Sequence, residues 1–128
     1  MQKALIFLII IFTANLFGMY YNLYWNWWFD MSLHFLGGFF VAMFMTHYLA
    51  DVMTPTKLKK YLVLTGAVIL VGVVWEFAEY LASQILAESL YNNFGFRAYF
   101  IGDLDDTIND LLMDILGAIS FLAIFRKN

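Results

Sequence analysis

Carboxylates are the side chains of this 128-residue sequence that could do chemistry. Nine of the ten acidic residues fall at one predicted end of a set of apolar segments, several of them inside those segments. A carboxylate at membrane depth is costly and is rarely kept without a partner or a function. His34 lies among them, so the pattern predicts a site that binds a cation. The nine acidic residues are Asp30, Glu76, Glu79, Glu88, Asp103, Asp105, Asp106, Asp110 and Asp114.

Two pairs of these residues have helical spacing. Asp30 and His34 are four residues apart and Glu76 and Glu79 are three apart, so each pair shares a helix face. Two carboxylates that close repel each other unless a cation or a proton lies between them. Two simpler interpretations stay open: Asp30 as a helix N-cap, and Glu79 reaching the interface while only Glu76 is buried. Just after His34, the small residues at 37–38 would let a neighbouring helix approach closely.

The last apolar segment carries a stripe of aspartates. Asp103, Asp106, Asp110 and Asp114 advance by three, four and four residues, which places them on one face of a helix. The part from Asp106 to Asp114 covers about 12 Å of depth. Such a stripe cannot face lipid, so we expect it to face the second and third helices. Asp105 projects from the other side, as a cap or a solvated residue.

The set of possible ligands narrows the choice of ion. Many carboxylates, one imidazole and no cysteine favour Mg²⁺, Mn²⁺, Ca²⁺ or iron, and one Zn²⁺ bound by His34 and two carboxylates is also compatible. For an enzyme, Glu79 or Asp103 would serve as general base. The expected metal ligands are Asp30, His34, Glu76, Glu79, Asp106, Asp110 and Asp114.

Composition identifies the solvent of the protein as lipid. The chain is 63% hydrophobic and 13% charged, whereas a soluble domain is nearer half apolar and a quarter charged. Four apolar segments, at about 4–20, 31–49, 61–86 and 107–125, are each near the roughly 20 residues that a spanning helix needs. Backbone groups facing lipid must be paired within the helix. The sequence therefore predicts one all-α domain over 1–128, an integral membrane bundle of four helices. The first segment could pass for a signal peptide, but without a convincing cleavage site we expect an uncleaved span.

The connections between these segments differ in character. Residues 21–29 have the composition of an aromatic belt at a membrane interface. Thr54 or Thr56 could cap the third helix. After residue 86 we expect one more helical stretch, a break at 92–96, and an interfacial segment over the site at 94–101. Arg97 in that segment could bind a substrate phosphate or lipid headgroups.

Basic residues predict the orientation. With both termini inside, six basic residues lie on the inner side against Arg97 outside, so the positive-inside rule favours N-in and C-in. The nine carboxylates then lie at the outer side of the membrane, and Asp51 is the lone acidic residue on the inner side. The six are Lys3, Lys57, Lys59, Lys60, Arg126 and Lys127.

The motifs resemble those of a known family. The elements Phe29-Asp30-x-x-x-His34, Glu76-x-x-Glu79, Gly102-Asp103-x-x-Asp106-Thr107-x-x-Asp110 and Gly117-Ala118 resemble the YjdF-like family of bacterial inner-membrane proteins and, more distantly, VanZ-like proteins. The resemblance covers about residues 29–118. It implies a small helical membrane protein with one site made of these residues: Asp30, His34, Glu76, Glu79, Asp103, Asp106 and Asp110. VanZ-like proteins are associated with glycopeptide-antibiotic tolerance at the cell surface. A typical YjdF-like protein is longer, with extra spans before the motif region.

Four functions remain open at this stage. The first is a metal-dependent membrane hydrolase of lipid-linked or amphiphilic substrates, in which the ion activates water. The second is a divalent-cation or proton pathway without hydrolysis. A di-iron oxidase and a purely structural bundle with hydrogen-bonded carboxylates are weighted lower. The expected partners are membrane lipids, such a substrate and a second copy in a homodimer; nothing resembles a nucleic-acid-binding patch.

Overall fold

The chain folds into helices throughout the part that can be described. The computed structural model describes residues 1–52, 56–95, 97–98, 100 and 102–125. In these ranges no residue belongs to a strand, and four helices are long and apolar enough to cross a membrane, which confirms the predicted four-helix bundle. The elements are α1 (Gln2–Tyr20), a 3₁₀ turn (Leu23–Trp25), α2 (Trp27–Tyr48), α3 (Lys57–Ile85), α4 (Ala87–Phe94) and α5 (Leu104–Ile124).

Each spanning helix begins two to four residues before the apolar segment that predicts it. α2 begins at Trp27 rather than at 31, because Asn26 has extended backbone angles and ends the preceding turn there. Asp30 therefore lies inside the first turns of α2, and the N-cap interpretation of Asp30 was wrong. The side chains of Trp25 and Trp27 are 89% and 77% exposed, as expected for an aromatic belt at an interface.

The start of α3 lacks the predicted cap. Thr56 occupies the N-cap position with extended angles, but its hydroxyl makes no capping hydrogen bond. Thr54, the other candidate, lies outside the described residues, as do Arg126 and Lys127 of the orientation count.

The connection after α3 is more helical than predicted. α4 continues through Phe94 and ends within the predicted break at 92–96. The helix ends at Gly95, whose φ of 65° is a left-handed conformation that glycine adopts readily. Of the predicted interfacial segment, Phe96, Tyr99 and Ile101 lie outside the described residues.

Glycines bring two helices into direct contact. The contact between α2 and α5 is the most extensive in the bundle; α3 packs against both, and α1 packs against α2. A Cβ added to Gly38 would overlap the backbone of Asp114, and one added to Gly117 would overlap the carbonyl oxygen of Phe35. The expected close approach at Gly38 is thus confirmed, and it places α5 directly beside the face of α2 that carries His34.

The apolar core occupies the end of the bundle away from the acidic residues. Leu64 and Val68 of α3 are almost completely buried. They pack with residues of α2 and α5 to form an apolar cluster: Ala42, Leu64, Val68, Ala118, Phe121 and Leu122. Large apolar side chains on the outside of all four long helices remain exposed, as expected for surfaces that contact lipid.

Candidate metal centre

Four carboxylates from three helices surround the imidazole of His34, which is 7% exposed. Its Nε2 lies 3.7 Å from Asp30 Oδ1, 3.8 Å from Glu76 Oε1 and 3.8 Å from Asp110 Oδ2. Its Nδ1 lies 3.5 Å from Asp114 Oδ2. Helices α2, α3 and α5 therefore bring their acidic residues to one ring. These five residues and Glu79 are called the His34 cluster below.

The distances around Nε2 suit a shared ion better than direct bonds. Charge-assisted hydrogen bonds are about 2.7–2.9 Å long, well below these separations. Two ligand atoms that each lie about 2.0–2.2 Å from one metal ion are roughly 3–4 Å apart. Two triplets of described residues bring their donor atoms within 4.8 Å of one another: Asp30, His34 and Asp110, and His34, Glu76 and Glu79. Because His34 belongs to both, the geometry is compatible with one ion or with two adjacent ions.

Two buried carboxylate oxygens have no hydrogen-bond partner. Thr107 Oγ1 donates to Glu76 Oε2 at 2.9 Å, which holds that carboxylate in place. The other oxygen, Glu76 Oε1, is buried without a partner, and so is Asp114 Oδ2. A buried polar atom left unsatisfied costs about 1–3 kcal/mol. Both atoms face His34, so a cation beside the ring would satisfy the oxygen on the Nε2 side.

The charge of the cluster is not balanced by its own residues. The ion pairs described for it all involve His34, and one imidazolium cannot neutralise five carboxylates. Asp114 lies near the middle of α5, where a charge is costly. The arrangement therefore needs bound cations, bound protons or both.

The remaining predicted site residues, Asp103 and Asp106, lie at the start of α5. Asp106 is partly buried and belongs to neither triplet. Asp103 is exposed and caps α5, accepting a hydrogen bond from the Asp106 backbone N–H at 3.1 Å. The predicted stripe is therefore buried at Asp110 and Asp114 and emerges above them. Asp105 and Glu88 are exposed, as expected for solvated residues.

The sequence analysis missed two polar residues next to this site. Asn15 of α1 is 5% exposed, and its Nδ2 donates to the hydroxyl of Tyr24 at 2.7 Å. Burial and the nearby charge of Asp30 raise the pKa of Tyr24, so its hydroxyl stays neutral. A lone asparagine in an apolar span was the available signal, since such residues usually make interhelical hydrogen bonds.

Gly72 of α3 was also missed. A Cβ there would overlap the carboxylate oxygen Oδ2 of Asp114. The absence of a side chain at this position makes room for the carboxylate between α3 and α5, although nothing about the residue alone distinguishes it from Gly66, which has no neighbour within 4 Å of an added Cβ.

A cavity of about 250 Å³ adjoins the cluster on the side of α1. Asp30, His34 and Asp114 contribute its polar wall. The remaining wall is mostly apolar and comes from α1, α2 and α3, with Phe12 and Trp75 in an edge-to-face contact across it. The cluster is therefore reached from a space suited to hydrocarbon.

Arg97, the one basic residue predicted on the outer side, is exposed and stacks on the ring of Tyr91, with 5.3 Å between its guanidinium carbon and the ring centroid. Its predicted alternatives, a substrate phosphate and lipid headgroups, both stay predictions.

The comparisons with known proteins agree with this architecture. The model of a family described as "Predicted membrane protein (DUF2238)" matches residues 1–127. The chain belongs to this family. An uncharacterized protein of Thermotoga maritima is 31% identical over 126 residues, which cover 91% of this chain and 58% of that protein. The chain thus spans less than two-thirds of the length of this relative. No solved structure matches the chain.

Family membership and the four apolar helices make this a multi-pass membrane protein. The YjdF-like resemblance is compatible with the family. Among the described residues, a group of carboxylates and one histidine could hold a metal ion.

Proposed function

We propose that the protein binds a divalent metal ion at the His34 cluster and hydrolyses a lipid-linked or amphiphilic substrate there. One observation carries the proposal: three carboxylate oxygens lie 3.7–3.8 Å from His34 Nε2, too far for hydrogen bonds and at the spacing of two atoms that ligate a common ion. Asp30 and Asp110 form one such group with His34, and Glu76 and Glu79 form the other. The buried, unpartnered Oε1 of Glu76 is one of these three oxygens.

The two sides of the imidazole suggest different roles for its neighbours. Asp30, Glu76 and Asp110 would bind the ion together with Nε2. Asp114 faces Nδ1 and would fix the ring and its tautomer, an arrangement common for histidines that ligate metals. Its predicted role as a ligand becomes a role in positioning in this proposal.

Glu79 is the best placed candidate for the base. It is partly buried, belongs to the triplet with His34 and Glu76, and is not among the residues paired with the ring. The ion would supply activated water. Asp103, the other predicted base, is already used as the cap of α5, and Asp106 could contribute as an additional ligand above the ion.

The adjoining cavity supports an amphiphilic substrate. Its wall is mostly apolar apart from the cluster and Asn15, so a hydrocarbon chain could lie in it with a polar group beside His34. With both termini inside, the cluster opens toward the extracytoplasmic face of a bacterial inner membrane. The more distant VanZ-like resemblance would place a role there too, at the cell surface.

A cation or proton pathway is the second candidate, favoured by the depth of Asp114. A pathway would have to continue toward the other end of the bundle. There the apolar cluster closes the space between α2, α3 and α5, with Leu64, Val68 and Ala118 at most 1% exposed. The His34 cluster therefore fits a closed binding site better than a pathway through the bundle. A di-iron centre would need more histidine, since His34 is the one histidine at this end.

Metal binding is tested first, by thermal unfolding of purified protein treated with a chelator and then given Mg²⁺, Mn²⁺, Ca²⁺, Fe²⁺ or Zn²⁺ separately. We expect at least one ion to stabilise the protein. Glu76→Gln should weaken binding of that ion by about 100-fold or more, since loss of an outer partner alone costs 10–100-fold. Glu88→Gln, at an exposed glutamate on α4, is the matched control. Equal behaviour of the two variants would contradict the proposal.

Hydrolysis is tested separately with the metal-loaded protein. Mixed micelles would present phospholipids, lipid-linked phosphates and lipid amides, and release of product would be followed. We expect one class to be turned over, and Glu79→Gln to reduce turnover more than it reduces ion binding. If an ion binds but no substrate is turned over, while ion flux into liposomes is seen and is lost in Asp114→Asn, the pathway replaces the hydrolase.

A further inference from the structure

A second cavity lies at the opposite end of the bundle. Its volume is about 290 Å³, and it is lined where α2 ends, α3 begins and α5 ends. Met43, Phe121 and Leu122 form its apolar inner part, and the last two are buried members of the apolar cluster. The metal proposal makes no use of this space.

The mouth of this cavity is basic and polar. Lys57 and Lys60 line it and are three residues apart, so they project from one face of α3. Lys60 is partly buried, whereas Lys57 is exposed. His47 of α2 lines the opposite side, its Nδ1 lying 2.8 Å from the carbonyl oxygen of Met43. That carbonyl can only accept, so Nδ1 carries the hydrogen and donates to it.

Further polar groups complete the mouth. Thr46 and Tyr61 also line it, and the Thr46 hydroxyl donates to the carbonyl oxygen of Ala42 at 2.8 Å. The first turn of α3 also begins here, and the Thr56 hydroxyl does not cap it. The start of a helix has backbone N–H groups without intrahelical partners and a partial positive charge, which favour an anion.

The lone acidic residue at this end does not oppose an anion. Asp51 is exposed and is not part of the cavity wall. The polar side chains that line the cavity are therefore two lysines, one histidine, one threonine and one tyrosine. The two lysines carry the positive charge that matches a phosphate group, which accepts hydrogen bonds and is negatively charged.

We propose that this cavity binds the phosphate group of an anionic phospholipid from the leaflet at the lysine end of the bundle. The lipid assignment rests on the apolar inner wall and on the place of the cavity where a spanning bundle meets the interface. Basic pockets between membrane helices bind such headgroups on the cytoplasmic side, the side on which the lysines place this end. Free phosphate shares the polar chemistry but leaves the apolar wall unused.

The test measures binding of phosphatidylglycerol to delipidated, detergent-purified protein, with phosphatidylcholine and inorganic phosphate as the other probes. We expect phosphatidylglycerol to bind at least fivefold more tightly than phosphatidylcholine. Each of the two lysines that line the cavity is expected to contribute roughly fivefold, so Lys57→Gln/Lys60→Gln should lose about 25-fold. Lys59→Gln is the matched control, because Lys59 lies on the same helix turn but does not line the cavity; it should change affinity less than twofold.

Three results would overturn the proposal: equal binding of the two lipids, equal loss in the Lys59 control, or displacement of phosphatidylglycerol by millimolar phosphate with no preference for the lipid. The double variant should keep the stabilisation by metal ions at the other end, which shows that it is folded. If it does not purify as a folded protein, Lys57→Gln alone, at an exposed position, should still lose about fivefold.

Discussion

The two ends of this bundle use the same three helices in opposite ways. At the lysine end, α2, α3 and α5 pack an apolar cluster with Leu64 and Val68 almost fully buried. At the acidic end they bury charged groups and leave Glu76 Oε1 and Asp114 Oδ2 without partners. One end gains stability from packing, whereas the other carries a cost that only a bound positive group offsets. Buried charge and apolar packing are thus separated along the bundle.

The largest effect that separates the two ends should come from Leu64→Ala. The substitution leaves a cavity in the packed end, and we expect a loss of about 2 kcal/mol or more in the free energy of unfolding. Metal affinity of the folded protein should stay the same. Leu62→Ala is the control, since Leu62 is 64% exposed on the lipid side. Unfolding in a denaturing detergent and ion titration measure the two quantities. A large change in ion affinity would show that the two ends are coupled.

Gly38→Ala tests the close contact between α2 and α5, which lies between the two ends of the bundle. An added Cβ would overlap the backbone of Asp114, so α2 and α5 must separate, and overpacking of this kind costs about 1–3 kcal/mol. Because the shift moves His34 relative to Asp114, ion affinity should fall as well. Gly66→Ala, with nothing within 4 Å of the added Cβ, should be neutral or slightly stabilising, since alanine favours helix. Equal stability of the two variants would contradict the close contact.

Asp114→Asn tests whether Asp114 positions the His34 ring or ligates the ion directly. An asparagine keeps the shape but removes the charge facing Nδ1, so we expect ion affinity to fall by about 10–100-fold, less than for Glu76→Gln. Asp105→Asn, at an exposed position in the first turn of α5, is the control. If Asp114→Asn abolished binding as completely as Glu76→Gln, Asp114 would be a direct ligand.

The smallest effect concerns Asp103 and distinguishes a cap from a catalytic base. Asp103→Ala removes the acceptor for the Asp106 N–H and should lower the free energy of unfolding by about 1 kcal/mol. Asp103→Ser can still cap and should restore the stability. If serine restored stability but turnover remained absent, Asp103 would take part in the reaction after all.

The sequence predicted the buried part of the site because periodicity reports helix faces. Asp110 and Asp114 recur every four residues within an apolar helix and are buried as expected. The same periodicity extended the stripe one step too far, to Asp103, because spacing alone does not show where a helix begins. The spacing of four likewise placed Asp30 and His34 on one face.

Contacts between distant segments lay beyond the sequence patterns. The bond from Asn15 to Tyr24 and the fit of Asp114 against Gly72 depend on how α1 and α3 lie beside α2 and α5. The end of α4 at Gly95 lies within the predicted break at 92–96, and only the structure shows that the left-handed backbone angle falls on the glycine. The fold thus follows from composition and period, whereas the details of the site require the packing.

Counting metal ions in detergent-purified protein, and locating their density between α2, α3 and α5, tests whether the His34 cluster binds metal. We expect at least one ion per chain. Its density should lie beside His34 Nε2 and within coordination distance of Asp30, Glu76 and Asp110. That ion should be lost in Glu76→Gln and retained in Glu88→Gln. Protein that carries no ion, gains none from added divalent cations and is equally stable in a chelator would contradict the claim.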